Sequence, residues 1–391
     1  MRKAKTVKNI SILGSTGSIG RNTLELISNF RDRFNIVGLS AGQNINLLYK
    51  QILDFMPEIV SLRRKKEADQ LKEMKFDHQI KIKYGPEGTE EVAGYHKNDI
   101  IISAITGING LKPTIEAVKS GKRVGLANKE SMVAAGTIIN KEAAKSGAEV
   151  IPVDSEHSGV FQCLCKESIQ QVRKVILTAS GGPFFLLNPK EIKNQSVENA
   201  LNHPRWRMGK KISIDSATMM NKGLELIEAK WLFHLPPEKL GVLIHPQSIV
   251  HSLVEMRDGS VLAQLSLTDM KIPIQFALTY PERLESVLPP LDLSKVRSLD
   301  FYKVDFHKFP LVGLAFRALK KEQYFSIALN ASNESAVNAF LKKKISFSDI
   351  WEIVIEIVEE TKKMEINNID DIIRIDQETR ERTWSKIIKR V

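Results

Sequence analysis

The sequence predicts an α/β protein with an N-terminal Rossmann-like, doubly wound parallel sheet, a central α+β domain and a C-terminal helical bundle. Three observations predict this. Short apolar runs alternate with helical periodicity over the first 150 residues, as repeated βαβ units require. A glycine-rich turn joins the first apolar run to the first helix. The alternation then stops, and beyond about residue 310 the pattern is helical. The expected boundaries are 1–150, 151–285, a linker at 286–308, and 309–391.

Residues 8–13 read as a buried strand and 21–30 as a helix with Leu24, Leu26 and Ile27 among its apolar positions. Strands at 35–40 and 59–62 alternate with helices at 47–55 and 67–75. Apolar runs at 99–104, 123–127 and 149–153, bounded by Gly, Asn and Asp, read as further strands between helices at 111–119 and 129–145. Strands apolar throughout belong in a sheet covered on both faces. In the middle third, 171–179 and 249–267 carry strand signals, and Asp258-Gly259 is a hairpin turn signal. A helix runs through 219–233. Pro281, Pro289 and Pro290 punctuate the linker. Helices follow at 311–320, 331–342 and 347–363. No internal repeat is evident.

A chain of 391 residues with 42% hydrophobic and 26% charged residues is neither disordered nor collagen-like. It is long enough to bury a core without disulfides. No run of 18 apolar residues suggests a membrane span. Cys163 and Cys165 are too few for a disulfide framework and fit a reducing compartment. The N-terminus runs into the first strand without an apolar signal core, so the expected location is cytoplasmic. The net charge is +11, and residues 1–154 hold 24 Lys and Arg against 17 Asp and Glu. The basic runs, Arg63-Arg64-Lys65-Lys66 and Lys342-Lys343-Lys344, lack interleaved aromatics. They read as solvated faces. A phosphorylated ligand and a phosphorylated cofactor are enough to explain the bias, with no nucleic acid or membrane partner.

The loop Gly14-Ser15-Thr16-Gly17-Ser18-Ile19-Gly20 follows a strand and opens a helix. Glycines let the backbone approach a pyrophosphate, and the helix N-terminus offers unpaired N–H groups. A plain tight turn is the competing reading. An NAD site usually carries an acid about 20 residues further on. Residues 38–44 read Gly-Leu-Ser-Ala-Gly-Gln-Asn, so a 2′-phosphate meets no repulsion there. That favours NADP, although Gln43 stands where an Arg or Lys is expected.

Asp154-Ser155-Glu156 ends an apolar strand. In extended chain both carboxylates project to one face and can hold Mg²⁺ or Mn²⁺ through oxygen. Two solvated acids at a strand end is the alternative. Asn221, Lys222 and Glu225 share one face of a helix, with Glu228 one turn on as a decoy. Such a set suits a phosphorylated, metal-chelated substrate, and equally a surface ion pair. The stretch His203-Pro204-Arg205-Trp206-Arg207-Met208-Gly209 reads as a mobile lid. Ser180-Gly181-Gly182 is a candidate anion-binding turn. His245 and His251 could share a strand face but have no evident third metal ligand.

These segments together resemble the 1-deoxy-D-xylulose 5-phosphate reductoisomerase family: GSTGSIG at 14–20, GLANKESMVAAG at 125–136, PVDSEHS at 152–158, TASGGPF at 178–184, HPRWRMG at 203–209, DSATMMNKGLELIEA at 215–229 and HPQSIVHS at 245–252. The resemblance implies a homodimeric enzyme that converts 1-deoxy-D-xylulose 5-phosphate into 2-C-methyl-D-erythritol 4-phosphate. It implies NADPH and a divalent metal, and retro-aldol and aldol steps followed by hydride transfer. Position by position, it implies Asp154, Glu156 and Glu225 as metal ligands. Ser155, Glu156, Ser180, His203, Trp206, Ser216, Asn221, Lys222 and Glu225 match the substrate side, with Lys129 close to both substrate and metal. Thr16, Gly17, Ser18, Ile19, Gly42, Gln43, Asn44, Asn128, Glu130 and Gly209 match cofactor positions. Gln43 departs from the basic residue of some relatives. The implied catalytic set is Lys129, Asp154, Glu156, His203 and Glu225, with the proton carrier open among Lys129, Glu156 and water. Another NADP-dependent oxidoreductase and a non-catalytic nucleotide sensor are the rival readings. A semialdehyde dehydrogenase would need a cysteine nucleophile, and Cys163 and Cys165 lie in no such motif.

Overall fold

The structure is a computed structural model describing residues 7–164, 167–206 and 208–390. Cys165, Arg207 and the first six residues of the N-terminal segment read above lie outside the described residues. The chain divides into two compact units. One comprises 7–131, 139–154 and 269–289; the other comprises 132–138, 155–268 and 290–390.

In the first unit, strands β1 (Lys8–Leu13), β2 (Phe34–Ala41), β3 (Ile59–Leu62), β4 (Lys81–Tyr84), β5 (Ile100–Ser103), β6 (Arg123–Leu126) and β7 (Val150–Pro152) alternate with helices. The helices are α1 (Ser18–Ser28), α2 (Ile45–Phe55), α3 (Lys65–Lys72), α4 (Gly85–Ala93), α5 (Leu111–Lys119) and α6 (Lys129–Ser146), of which residues 132–138 are grouped with the second unit. All the strands pair in parallel. Their order is β4-β3-β2-β1-β5-β6-β7. The order reverses between β1 and β5, and open α/β sheets bind ligands at such a switch point, beyond the carboxyl ends of the strands. Ile12, Leu39, Ile101, Ile102 and Leu126 are fully buried, as covered parallel strands require. The sequence did not reveal β4 or α4. β4 is a partly exposed edge strand, and α4 opens on Gly85-Pro86 and contains Gly88, so neither carries a clean apolar signal.

In the second unit, α7 (Ser155–Leu164), α8 (Pro189–Ile192), α9 (Val197–Leu201), α10 (Lys210–Ala217) and α11 (Met220–Leu232) accompany a mixed sheet. Its strands are β8 (Val172–Ala179), β9 (Leu240–Ile244), β10 (Val250–Met256), β11 (Val261–Leu265) and β12 (Tyr302–Lys303), in the order β11-β10-β8-β9-β12. Gly259, with φ +90°, turns the β10–β11 hairpin at the expected Asp258-Gly259. Helix α12 (Lys271–Thr279) belongs to the first unit. The C-terminal helices are α13 (Pro310–Leu319), α14 (Gln323–Leu341), α15 (Phe347–Glu359) and α16 (Ile369–Arg390). Phe309, Leu329, Phe347, Ile353 and Ile357 lie in their common core.

Two expectations need correction, and one helix is additional. α14 starts at Gln323 rather than 331. α16 carries no expectation from the sequence, because its apolar positions are diluted by charge. The second correction concerns Asp154 and Glu156. β7 ends at Pro152 and α7 begins at Ser155, so the two carboxylates do not share the face of an extended strand. Glu156 instead occupies the first turn of α7, where an acid is favoured by the helix dipole.

Candidate active site

The glycine loop of the first unit has the backbone that its sequence suggests. Gly14 has φ +91°, and a Cβ there would lie 2.8 Å from the Ala104 carbonyl oxygen. A Cβ on Gly20 would lie 2.4 Å from the Gly14 oxygen, so only glycine lets α1 pack this closely on the loop. Gly17 caps α1 without a side-chain hydrogen bond, which leaves first-turn N–H groups available to an anion. Thr16 and Ile19 are half-buried beside exposed Gly17 and Ser18. Two supports escaped the sequence reading. Ser15 Oγ donates to Gln51 Oε1 at 2.8 Å, and Gln51 Nε2 returns a bond to the Ser15 oxygen at 3.0 Å.

Gly42, Gln43 and Asn44 are exposed after β2. Asn44 Oδ1 accepts from the Leu47 N–H and so caps α2. Asn128 is buried. Its Oδ1 accepts from the Ser131 N–H at 2.6 Å, and its Nδ2 donates to the carbonyl oxygens of Gly107 and Ile105. Its amide thus joins two loops at the carboxyl edge of the sheet. Lys129 and Glu130 are buried in the first turn of α6, and Lys129 Nζ pairs with Asp154 Oδ2 at 2.8 Å.

In the second unit the polar face of α11 forms as expected. Asn221 Nδ2 donates to Glu225 Oε1, and Lys222 Nζ pairs with Glu225 Oε2. Lys222 also reaches Glu156 Oε1 at 3.2 Å, and Ser155 Oγ donates to Glu156 Oε2 at 2.6 Å. Met219, with φ +57°, breaks α10 from α11. Asp154 immediately precedes Ser155, the first residue of α7. One oxygen each of Glu156 and Glu225 lies within 4.8 Å of the other.

Glu228 is no bystander. It is buried, and its Oε2 lies 3.1 Å from His157 Nδ1. His157 Nε2 lies 2.9 Å from the Glu225 carbonyl oxygen, which can only accept, so Nε2 carries a proton. This buried pair ties α7, which carries Glu156, to α11, which carries Glu225. Neither His157 nor this role of Glu228 was legible in the sequence.

Ser180 and His203 meet, Oγ to Nε2, at 2.9 Å. His203 Nδ1 accepts from the backbone N–H groups of Arg205 and Trp206. The proton of the neutral ring therefore sits on Nε2 and is donated to Ser180. Burial lowers the His203 pKa to about 4, which keeps the ring neutral. Ser180 Oγ also accepts from the Gly182 N–H at 3.2 Å. With both acceptor sites engaged, its O–H is free to donate to an anion. Gly181 and Gly182 have φ +82° and +66°, and a Cβ on Gly182 would lie 2.5 Å from the Ser216 oxygen. That close approach brings the Ser180 turn against Ser216. Trp206 is half-buried, and Gly209 caps α10 with no side-chain bond. Asp215, beside Ser216, is held by Asn333 and Lys211, each at 2.8 Å. His245 bonds the Asp300 carbonyl oxygen and stacks on Phe301.

Three family models match the chain. They are 1-deoxy-D-xylulose 5-phosphate reductoisomerase over residues 10–136, its C-terminal domain over 150–233, and a DXP reductoisomerase C-terminal domain over 265–382. The chain is 48% identical over 380 residues to the 1-deoxy-D-xylulose 5-phosphate reductoisomerase of Chloroherpeton thalassium, covering 97% of this chain and 98% of that one. It is 47% identical to the Thermodesulfovibrio yellowstonii reductoisomerase, over 97% and 100% of the two chains. The Zymomonas mobilis reductoisomerase, solved with NADPH, superimposes with a TM-score of 0.92 at 39% identity, covering 98% and 99%. A DOX-P reductoisomerase solved with NADPH, fosmidomycin and magnesium gives 0.91 at 41%, covering 97% and 98%. Sequence, fold and whole-length coverage agree that the chain belongs to the 1-deoxy-D-xylulose 5-phosphate reductoisomerase family.

Proposed function

We propose that this chain converts 1-deoxy-D-xylulose 5-phosphate into 2-C-methyl-D-erythritol 4-phosphate in non-mevalonate isoprenoid synthesis, with NADPH and Mg²⁺ or Mn²⁺. The observation that carries the reading is the convergence of Glu156 and Glu225, with Asp154 two residues before Glu156 in the chain, in a chain nearly half identical to reductoisomerases. Three carboxylates offer the hard oxygen donors that these cations take. The glycine loop, into which a Cβ would intrude at Gly14 and Gly20, suits a dinucleotide. When bound, the metal supplies a Lewis acid at the substrate carbonyl and NADPH supplies a hydride.

The remaining work falls to the protein. The Ser180 hydroxyl, oriented by His203 and Gly182, donates to the substrate phosphate. Ser216, Asn221 and Lys222 add further donors around it, and Lys222 keeps Glu156 and Glu225 compensated. Lys129, against Asp154, and Glu156 are the candidates to move the hydroxyl proton during a retro-aldol and aldol rearrangement. The 203–209 segment, with Trp206, closes over the substrate and excludes water. Gly17, Ser18 and the other matched loop residues hold the cofactor.

The enzyme works as a homodimer in the cytoplasm. Strand β11 lies at the edge of its sheet with Val261 and Leu262 exposed, and an open apolar edge is a ready pairing surface. Sedimentation as a monomer at micromolar concentration would reject the dimer. The activity is tested by following NADPH oxidation with 1-deoxy-D-xylulose 5-phosphate, with and without Mg²⁺ or Mn²⁺, and identifying the product. Metal-independent turnover, or none with either cation, would refute the reading.

A further inference from the structure

We propose that Arg63 reads the 2′-phosphate of NADPH in this chain, in place of a basic residue at position 43; the inference rests on the NADPH reading above. In doubly wound folds the adenosine ribose lies beyond the second strand, where an acid binds a 2′-hydroxyl or an arginine accommodates a 2′-phosphate. Here β2 is followed by Gly42-Gln43-Asn44, which carries no charge. Asn44 caps α2 with its side-chain oxygen, so Gln43 is left with a neutral amide.

A cation comes from the next strand. β3 runs parallel to β2 with Ala41 opposite Leu62, and the Arg63 N–H donates to the Gly42 oxygen at 3.1 Å. The residue after β3 is thus fastened to the residue after β2, at the carboxyl edge of the sheet. No heavy atom lies within 4 Å of the point a Gly42 Cβ would occupy, so the space beside this turn is open. Arg63 is exposed, and its guanidinium has no ion-pair or hydrogen-bond partner among the described residues. Arg64 differs, because it is paired at 2.7 Å with the largely buried Glu67. A guanidinium presents a fork that matches phosphate bidentately, which a glutamine cannot do. The run Arg63-Arg64-Lys65-Lys66 also places cations at the start of α3, where the helix dipole disfavours them and a bound anion would offset the penalty.

The test is equilibrium binding by calorimetry at one fixed ionic strength, with NADPH, NADH and adenosine 2′,5′-bisphosphate as probes, beside kcat/KM for both cofactors. Arg63→Gln should weaken NADPH and the bisphosphate about tenfold, the loss of one charge-assisted contact, while NADH binding stays within about twofold. Arg63→Lys should recover part of the loss, and Gln43→Arg placed in the Arg63→Gln background should recover most of it. Unchanged NADPH binding in Arg63→Gln overturns the assignment. So does an equal loss of NADH binding, or an equal effect of Arg64→Gln, which would mark a diffuse field rather than a contact. A wild type that binds NADPH no tighter than NADH overturns the NADPH reading and the assignment with it. Preserved wild-type preference beside an unaffected variant overturns the assignment alone.

Discussion

His203 shows how two backbone N–H groups set the behaviour of a side chain. With Nδ1 accepting from Arg205 and Trp206, protonation would cost both bonds, and burial opposes the charge as well. The folded pKa of about 4 lies below the ordinary 6.5, so unfolding takes up a proton between those values. The stability this residue contributes is therefore complete above about pH 6.5 and is lost as pH falls toward 4. An NMR titration should give a His203 midpoint near 4, with no His203 inflection in kcat/KM between pH 5 and 8. A midpoint near 6.5 would sink the assignment.

The carboxylates divide by what they touch. Asp154→Asn or Glu225→Gln should lower metal-dependent turnover at least about 100-fold, the upper range for outer partners of a metal site, while NADPH binding survives. Near-normal activity would remove that residue from the ligand set. Glu228 gives a subtler contrast. Glu228→Gln can still offer an N–H to His157 Nδ1 and should be mild. Glu228→Leu strands the imidazole, and should cost about 10–100-fold in metal affinity with cofactor binding intact. Equal behaviour of the two variants would show that the His157–Glu228 pair does not position Glu156 and Glu225.

At the scale of elements, the 203–209 segment lies between α9 and α10, anchored by the His203 turn and by an Arg205 Nε bond to the Pro246 oxygen at 3.2 Å. Trp206→Ala should leave the fold intact and lower kcat/KM by up to about 100-fold, the cost of an angstrom-scale misplacement. Limited proteolysis should cut at 203–209 in the free enzyme and be suppressed by substrate with cofactor. Equal protection without ligand would refute closure, and unfolding of the variant would make Trp206 a core residue. Legibility also varied by element. β3 and β5 are uniformly buried, and β1 is buried from Ile10 onward, so they announced themselves as apolar runs. β4 and α16 present much of their length to solvent, where polar residues blur the period that pattern reading depends on.

At the scale of the whole molecule, the first question is what metal removal does. Lys222 is paired with Glu156 and Glu225, and Lys129 with Asp154. The metal-free protein therefore does not leave those acids as uncompensated buried charges. Chelation should abolish turnover reversibly while changing Tm by less than about 4 °C, the shift expected from roughly 1 kcal/mol in domains of this size. Thermal unfolding monitored with and without chelator checks this, and a large drop would mean that the cation is part of the fold.

The sequence by itself determined the parallel sheet, the glycine loop and the polar face of α11, because each is written in nearby residues. Covered parallel strands are short unbroken apolar runs, glycines tolerate one turn, and Asn221, Lys222 and Glu225 are neighbours at helical spacing. Only the tertiary structure decided what reaches across the chain. It turned Asp154 and Glu156 from a strand face into a helix start, since Pro152 ends β7. It made Glu228 the buried partner of His157, 71 positions earlier in the chain, and it set Arg63 beside Gly42 through a bond between strand ends. Such pairings depend on where strands and helices come to lie in space, and local periodicity carries no information about that.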